Sequence, residues 1–390
     1  YEIIVRLVGS EMCIRDSYEL FLIVSKKYCK TSKMSLPKSK IVNVELYVGG
    51  MSKTQSIKNP LKLSANESAL GPSPNVLNIF KQKLDIKKYP DGNSEKLKHA
   101  ISKTFNLDQS QIIIGAGSDE IISLICQSFI SESDEVIVAE QSFLMYRIYS
   151  QLNGAIVKYS KNIDNKFSVE ETLKLVSKKT KIVFIANPNN PTGTYISEKE
   201  MIELRKKLPE NILLMVDDAY AEYVTKKDYK SGLEIFNKSL NTVVCRTFSK
   251  IYGLANLRIG WGFGSRDIIQ AANLFRPPFN ISGIAETAGC LALEDLDWLE
   301  KNIKHNNKWS SIFFDKIKSK KIITNEPVAN FFLLNFDNAK LNSDQAFNLF
   351  LKNNILLRKM DSYGINNALR LTIGNDEENI KFLDILEKNF

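Results

Sequence analysis

The segment Thr247-Phe248-Ser249-Lys250-Ile251-Tyr252-Gly253-Leu254 directly follows the apolar run Thr242–Arg246, which we predict to be a buried strand. A lone lysine is usually a surface residue. Lys250, however, lies among hydroxyl, aromatic and glycine residues straight after that strand, and such a position favours a desolvated, reactive amine. In an open α/β sheet, ligands bind beyond the carboxyl ends of the strands. The segment therefore predicts this fold, with Lys250 at the ligand-binding edge.

A glycine-containing turn follows another predicted strand, Gln111–Ile114. It runs Gly115-Ala116-Gly117-Ser118-Asp119-Glu120 into an apolar helix. Glycines permit a tight turn, and the free amides at the start of a helix can hold a phosphate. The turn lacks the third glycine of a dinucleotide fingerprint and the Gly-Lys-Ser/Thr of a nucleotide P-loop. By itself it fits a plain strand–turn–helix at least as well as a phosphate site.

Polar residues also follow the predicted strands Lys181–Ala186 and Ile212–Val216. The first is followed by Asn187-Pro188-Asn189-Asn190-Pro191-Thr192-Gly193, a rigid, amide-rich corner that a generic turn would also explain. The second is followed by Asp217-Asp218-Ala219-Tyr220. An acid at the end of a buried strand needs a positive or hydrogen-bond-donating partner. These two segments therefore predict further site residues at the same edge.

The pattern from about residue 60 predicts an α/β fold with a mostly parallel sheet covered by helices and a smaller α+β domain. Short β-branched runs alternate with helical periods, and the strands are continuously apolar, as a sheet buried on both faces requires. After Pro277-Pro278 a helical region of roughly Ile284–Ser319 precedes shorter strands. We expect an arm over 34–75 that joins the small domain, a large cofactor-binding domain over 76–277 and the small domain over 278–390.

Composition excludes several classes of protein. The 390 residues are 44% hydrophobic and 25% charged, and the net charge of +9 comes from lysines that form no tract, so nothing indicates a nucleic-acid partner. No apolar run approaches the roughly 18 residues of a membrane span. Five scattered cysteines and two histidines argue against a disulfide framework or a metal site, and the cysteines fit a reducing cytoplasm.

Residues 1–33 differ from the rest of the chain. Met12–Ser17 looks like a translated sequencing adaptor, and its surroundings have no helical or strand period. The short apolar run Leu20–Val24 follows acidic residues and has no small-residue cleavage site, so it does not predict a signal peptide. We expect a dispensable, non-native extension, with the natural start at Met34 or, second, at Met51.

Taken together, the segments resemble the fold-type I pyridoxal-phosphate enzymes and, more narrowly, the histidinol-phosphate aminotransferases. The resemblance spans roughly residues 40–385, and Arg258 follows Lys250 at the family's spacing of eight positions. It is carried, in family order, by Leu63-Ser64-Ala65-Asn66-Glu67, Gly71-Pro72-Ser73-Pro74, Tyr89-Pro90-Asp91, Asn190-Pro191-Thr192-Gly193, Asp217-Asp218-Ala219-Tyr220, Thr247–Arg258 and Leu369-Arg370-Leu371-Thr372-Ile373-Gly374.

The resemblance implies that Lys250 carries pyridoxal 5'-phosphate as a Schiff base, and burial would lower its pKa. Asp217 would keep the pyridine nitrogen protonated, so that the ring withdraws electrons when the substrate carbon loses its proton. Asn190 and Tyr220 would hydrogen-bond the phenolic oxygen of the ring. Phe143 would stack on the ring, although core packing alone also explains that residue.

The remaining implied contacts hold the cofactor phosphate. They are the amides of Gly117, Ser118 and Asp119, the hydroxyls of Thr247 and Ser249, and Arg258. Tyr89 would reach this phosphate from the neighbouring subunit, which makes a homodimer the expected minimal unit. Asp218, where the family usually has Glu, is expected to face outward and to matter little.

For the substrate, the resemblance implies that Arg358 and Arg370 hold the phosphate, and that one of them also receives the amino donor's carboxylate. Tyr47 and Asn66 would lie near the imidazole, although Asn66 could merely turn the chain. The expected reaction, in histidine biosynthesis, moves the amino group between L-histidinol phosphate and 2-oxoglutarate.

An aromatic amino-acid aminotransferase or a phosphothreonine decarboxylase on the same scaffold stays open. Retention of Lys250 with Asp217, Asn190 and Tyr220 argues against a non-catalytic binding protein. A nicotinamide dehydrogenase lacks support because the glycine fingerprint is missing.

Overall fold

The computed structural model describes residues 44–47, 49, 60–81 and 86–390. The expected extension 1–33 and both candidate starts, Met34 and Met51, lie outside these ranges. The described helices are Pro74–Leu77 (α1), Glu95–Phe105 (α2), Ser118–Phe129 (α3), Met145–Leu152 (α4), Val169–Lys174 (α5), Glu198–Lys207 (α6), Gly232–Phe236 (α7), Arg266–Phe275 (α8), Gly283–Glu294 (α9), Leu296–Ser319 (α10), Ser343–Lys352 (α11) and Asp376–Asn389 (α12).

Fourteen strands lie in the described ranges. They are Leu61–Lys62 (β1), Ile112–Gly115 (β2), Glu135–Ala139 (β3), Ile156–Ser160 (β4), Asn162–Ile163 (β5), Lys166–Phe167 (β6), Thr180–Ala186 (β7), Leu213–Asp217 (β8), Thr242–Thr247 (β9), Gly260–Phe263 (β10), Phe331–Asn335 (β11), Ile355–Leu356 (β12), Arg358–Lys359 (β13) and Ala368–Thr372 (β14).

A seven-stranded sheet forms the largest layer, in the order β2-β10-β9-β8-β7-β3-β4. All neighbouring strands from β9 to β4 are parallel, whereas β10 is antiparallel to both of its neighbours. Successive side chains of a strand point to opposite faces. Accordingly Ile112 and Ile114 pack in one apolar cluster and Ile113 in another. Both faces of the sheet are therefore buried, and the predicted α/β fold is confirmed.

Strand register gathers the polar strand ends at one edge of this sheet. Asp217 pairs with Ala186 on one side and with Cys245 on the other. Gly260 pairs with both Thr247 and Gly115, so antiparallel β10 begins where its neighbours end. The segments that follow β2, β7, β8 and β9, and the segment that precedes β10, consequently meet at the same edge.

Strand β10 was missed by the sequence prediction because it contains two glycines, which are usually depleted in strands. A Cβ on Gly260 would lie 2.2 Å from the backbone nitrogen of Ser118, and one on Gly262 would lie 2.7 Å from the side chain of Ile121. Close approach of helix α3 to the sheet thus requires these glycines.

The predicted single helical region Ile284–Ser319 is wrong in one respect, since it is divided at Asp295. The carboxylate of Asp295 accepts a hydrogen bond from the Trp298 amide at 3.2 Å and thereby caps the start of α10. A side chain that satisfies a free amide at a helix start favours such a boundary.

A second, antiparallel sheet has the order β11-β14-β13, and it pairs Arg358 directly with Arg370. The short strand β1 runs parallel to β12, and the Thr372 amide at the end of β14 donates to the Leu63 carbonyl at 2.9 Å, which brings the segment after Lys62 beside the three-stranded sheet. The division at residues 75 and 277 stays a prediction. No helix in the described ranges is long and apolar enough to cross a bilayer.

Candidate active site

One cavity of about 360 Å³ lies at the edge where the strand ends meet. Every predicted site residue except Gly117 and Tyr89 lines it. Those that line it are Tyr47, Asn66, Ser118, Asp119, Phe143, Asn190, Asp217, Tyr220, Thr247, Ser249, Lys250, Arg258, Arg358 and Arg370. The structure therefore brings together residues that are more than 300 positions apart in the chain.

The amine of Lys250 lies inside this cavity. Its Nζ donates a hydrogen bond to the carbonyl oxygen of Ala65 at 3.3 Å and lies 5.6 Å from the centroid of the Tyr220 ring. Burial lowers the pKa of Lys250 to about 8, and the positive charge of Arg370 acts in the same direction. A substantial fraction of the amine is therefore neutral at physiological pH, as a nucleophile or proton acceptor requires.

The carboxylate of Asp217 is buried and held by donors on both oxygens. Oδ1 accepts from the Ala219 amide at 3.0 Å, and Oδ2 accepts from the Tyr146 hydroxyl at 2.6 Å. Burial raises the pKa of Asp217, whereas these donors oppose the rise. The sequence prediction missed Tyr146. Its position three residues after Phe143, on the buried face of α4, is the signal that could have found it.

The ring of Tyr146 is fixed from two directions. It stacks on Phe184 with centroids 5.1 Å apart, and Phe143 meets its edge at 5.6 Å. Phe143 lines the cavity, and its ring centroid lies 6.2 Å from that of Tyr47. The hydroxyl that reaches Asp217 is therefore placed by rigid aromatic packing.

Asn66 orients the hydroxyl of Tyr220. The Nδ2 of Asn66 donates to that hydroxyl at 2.9 Å, and Thr372 exchanges hydrogen bonds with both the amide and the Oδ1 of Asn66. Asn66 has φ 54°, so it also makes the turn that the sequence left open. Burial raises the pKa of Tyr220 to about 12, which keeps its hydroxyl protonated.

The part of the cavity lined by Ser118, Ser249 and Arg258 suits a phosphate group. Helix α3 begins there after Gly117, which has φ 88°, and a Cβ on Gly117 would lie 2.6 Å from an Nη of Arg258. The other Nη of Arg258 lies 3.3 Å from the Ser249 hydroxyl. Free amides at a helix start, a hydroxyl and a guanidinium together make an anion-binding donor set.

The cavity wall also carries the paired arginines. Arg370 donates to Asn190 Oδ1 at 2.5 Å and to the Ser64 carbonyl at 2.9 Å, and its guanidinium lies 5.4 Å from the Phe331 ring. The Nε of Arg370 is buried without a hydrogen-bond partner among the described residues. This wall can therefore still donate to an anion.

Tyr89 lies outside the cavity of its own chain. It is 83% exposed and stacks on Phe279 with ring centroids 4.7 Å apart. A contact between Tyr89 and a cofactor phosphate therefore stays a prediction that needs a second subunit.

The expectation that Asp218 faces outward is wrong. Its side chain is fully buried and accepts hydrogen bonds from the amides of Gly232 and Leu233 at 3.1 and 3.2 Å. Burial raises the pKa of Asp218 to about 7, against the nearby charge of Arg246. Asp218 points away from the cavity because neighbouring residues of a strand end alternate between faces. It anchors α7 behind the site.

Known proteins are similar to this chain in sequence and in fold. Residues 58–386 match the family model of aminotransferase class I and II. The chain is 52% identical over 359 residues to the histidinol-phosphate aminotransferase of Pelagibacter ubique, covering 92% of this chain and 100% of the relative. It is 39% identical over 358 residues to that of Rhodopseudomonas palustris, covering 90% and 98%.

A solved structure agrees in fold. The histidinol-phosphate aminotransferase from Sinorhizobium meliloti, in complex with pyridoxal-5'-phosphate, aligns with a TM-score of 0.77 at 24% identity, covering 84% of this chain and 91% of that one.

Proposed function

Since the chain belongs to the class I and II aminotransferases and, within them, to the histidinol-phosphate aminotransferases, we propose that it transfers the amino group of L-histidinol phosphate to 2-oxoglutarate. The products are imidazole-acetol phosphate and glutamate. One observation carries the choice of substrate: Arg358 and Arg370 are register partners, and both line the cavity that also contains Lys250. Two guanidinium groups suit a dianionic phosphate or a carboxylate.

The cavity fits pyridoxal 5'-phosphate as the cofactor. When bound, this cofactor supplies an aldehyde that takes up an amine and a ring that accepts an electron pair. Its phosphate would lie at the start of α3, with the amides of Gly117, Ser118 and Asp119, the hydroxyls of Thr247 and Ser249, and Arg258. The spatial requirement for glycine at position 117 supports this assignment.

Asp217 would pair with the ring nitrogen of the cofactor. A fully buried carboxylate needs a positive partner, and a protonated ring nitrogen provides one. The hydroxyl of Tyr220, which Asn66 orients, and the amide of Asn190 would hydrogen-bond the phenolic oxygen of the ring. Phe143 would cover one face of the ring.

Lys250 would both hold the cofactor and move protons. Its neutral amine can accept a proton from the reacting carbon of the substrate, and its protonated form can return one. A pKa near 8 suits both directions, because proton transfer is most efficient when the pKa of the group lies near the working pH.

We also propose that the enzyme is a homodimer in the cytoplasm, in which Tyr89 reaches the site of the partner subunit. Tyr89, Phe279, Phe80 and Ile86 are large apolar residues that are each at least 43% exposed. Tyr89 and Phe279 are in ring contact, and contiguous exposed apolar surface is typical of protein interfaces.

The decisive experiment compares kcat/KM for L-histidinol phosphate, phenylalanine, tyrosine and phosphothreonine on one preparation with 2-oxoglutarate. We expect L-histidinol phosphate to be preferred. A preference of more than about tenfold for phenylalanine or tyrosine would make the enzyme an aromatic aminotransferase. Release of carbon dioxide from phosphothreonine would identify a decarboxylase.

A further inference from the structure

Tyr363 is a cavity residue to which the sequence assigns no role. It lies in the 3₁₀ turn Asp361–Tyr363, between β13 with Arg358 and β14 with Arg370. Gly364 ends this turn with φ 68°, and its amide donates to the Asp361 carbonyl at 2.9 Å. The connection that joins the two arginine-bearing strands therefore also carries this tyrosine into the cavity.

The ring of Tyr363 is closely packed, whereas its hydroxyl has no hydrogen-bond partner among the described residues. The residue is 5% exposed and packs in an apolar cluster with Leu144, Met145, Ile148 and Met360. Its hydroxyl makes no hydrogen bond to any residue that the structure describes. A buried tyrosine normally finds a partner for its hydroxyl. A packed ring whose hydroxyl lies in a cavity without a partner among the described residues therefore indicates a hydrogen-bond donor that is available to a ligand.

The electrostatic surroundings favour an anionic ligand. Burial raises the pKa of Tyr363 to about 12, while the positive charges of Arg370 and Arg358 oppose that rise. Both arginines line the same cavity as Tyr363, and the hydroxyl remains a neutral donor at physiological pH because its pKa is raised. A negative group held by either arginine would lie within the same neighbourhood.

We propose that Tyr363 is a specificity-determining residue whose hydroxyl donates a hydrogen bond to the phosphate of the substrate, beside Arg358 and Arg370. This inference rests on the proposed function and deepens it. A carboxylate has two oxygens, which one planar guanidinium can satisfy. A phosphate monoester has three terminal oxygens in a tetrahedral arrangement, so a donor outside the guanidinium plane adds to its binding. Tyr363 would therefore favour the phosphorylated substrate over glutamate, which carries a carboxylate instead of a phosphate.

The test uses Tyr363→Phe in the holoenzyme, since this change keeps the packed ring and removes only the hydroxyl. We expect kcat/KM for L-histidinol phosphate to fall about tenfold to a hundredfold, mainly through KM, as for the loss of a hydrogen bond to a charged group. The single-turnover rate with glutamate should change by less than about threefold. Tyr195→Phe is the matched control, because its hydroxyl bonds Asp228 outside the cavity.

A second measurement separates this inference from the proposed function. Inorganic phosphate competes with glutamate in the single-turnover reaction, and its inhibition constant should rise about tenfold in Tyr363→Phe but not in Tyr195→Phe. An unchanged constant, or equal losses with glutamate and L-histidinol phosphate, would overturn the role of Tyr363. If the wild-type enzyme does not prefer L-histidinol phosphate while the phosphate effect persists, only the proposed substrate fails.

Discussion

The hydroxyl of Tyr146 donates to Oδ2 of Asp217 at 2.6 Å, and both side chains are buried. A hydrogen bond to a carboxylate stabilises its ionised form, whereas burial destabilises it. Tyr146 therefore counteracts the burial that raises the pKa of Asp217. The proposed pairing of Asp217 with the ring nitrogen depends on that balance.

Replacing Tyr146 by Phe should weaken binding of pyridoxal 5'-phosphate about tenfold, because a hydrogen bond to a charged group contributes about 1.5–3 kcal/mol. Fluorescence titration of the apoenzyme measures this dissociation constant. Tyr229→Phe is the control: its buried hydroxyl bonds the Asn187 carbonyl at 2.9 Å and does not touch Asp217. Equal cofactor affinity in both variants would contradict the role of Tyr146.

Lys250→Ala should abolish turnover while leaving the fold largely intact. In the wild-type protein, borohydride should fix the cofactor to the peptide that contains Lys250. The rate of cofactor attachment to the apoenzyme should rise with pH and level off above about 8, because the neutral amine is the nucleophile and its pKa is lowered to that value. A label on another lysine, or a midpoint near the ordinary lysine pKa of about 10.4, would contradict the assignment.

Gly117→Ala should weaken binding of the cofactor phosphate at the start of α3. The added Cβ would lie 2.6 Å from Arg258, and the φ of 88° is unfavourable for alanine. We expect cofactor affinity to fall at least about tenfold, since strain of about 1–3 kcal/mol accompanies a displaced guanidinium. Gly71→Ala is a suitable control because Gly71 has φ 68° but open space around its Cβ position. An equal loss of cofactor affinity in both variants would show that backbone strain, and not the contact with Arg258, causes the loss.

Arg358→Ala should lower kcat/KM for L-histidinol phosphate about tenfold to a hundredfold, and that for phenylalanine much less. The adjacent Lys359→Ala provides the control, since Lys359 is exposed and pairs with Asp344. Equal losses for both substrates would indicate that Arg358 does not recognise phosphate.

Subunit exchange tests the proposed role of Tyr89. Lys250→Ala and Tyr89→Ala chains are each expected to be nearly inactive alone. Randomly mixed, they should regain about a quarter of the wild-type activity, because half of the dimers then contain one complete site. No recovery in a mixture that is shown to contain heterodimers would place the function of Tyr89 within its own chain.

The sequence predicted the parts of the site that depend on strand ends. The strands before Asp217 and Lys250 are continuous apolar runs, so their ends and the shared edge of the sheet follow from periodicity. The family resemblance supplied Asn190, Arg258 and the arginine pair, and it is confirmed at the level of the family. The substrate and the role of each residue stay proposals.

Other parts could not be predicted because they depend on tertiary contacts. Strand β10 contains glycines that only the approach of α3 explains. Tyr363 belongs to the site only because a short turn between two strands places it in the cavity. Asp218 was assigned an outward position because sequence alone does not show that α7 covers it.

The two arginines and the reactive lysine stand on different sheets: Arg358 and Arg370 on the three-stranded sheet, Lys250 just after a strand of the seven-stranded one. Substitutions that change which substrate is bound can therefore arise without changes to the residues proposed to carry out the reaction. Mutations in the short connection between β13 and β14 would alter recognition of the anionic group of the substrate, while the residues proposed to transfer protons stay unchanged. This separation offers a physical route by which one ancestral scaffold gives rise to relatives with different substrate specificities. It also makes the hairpin of β13 and β14 a suitable target for directed evolution.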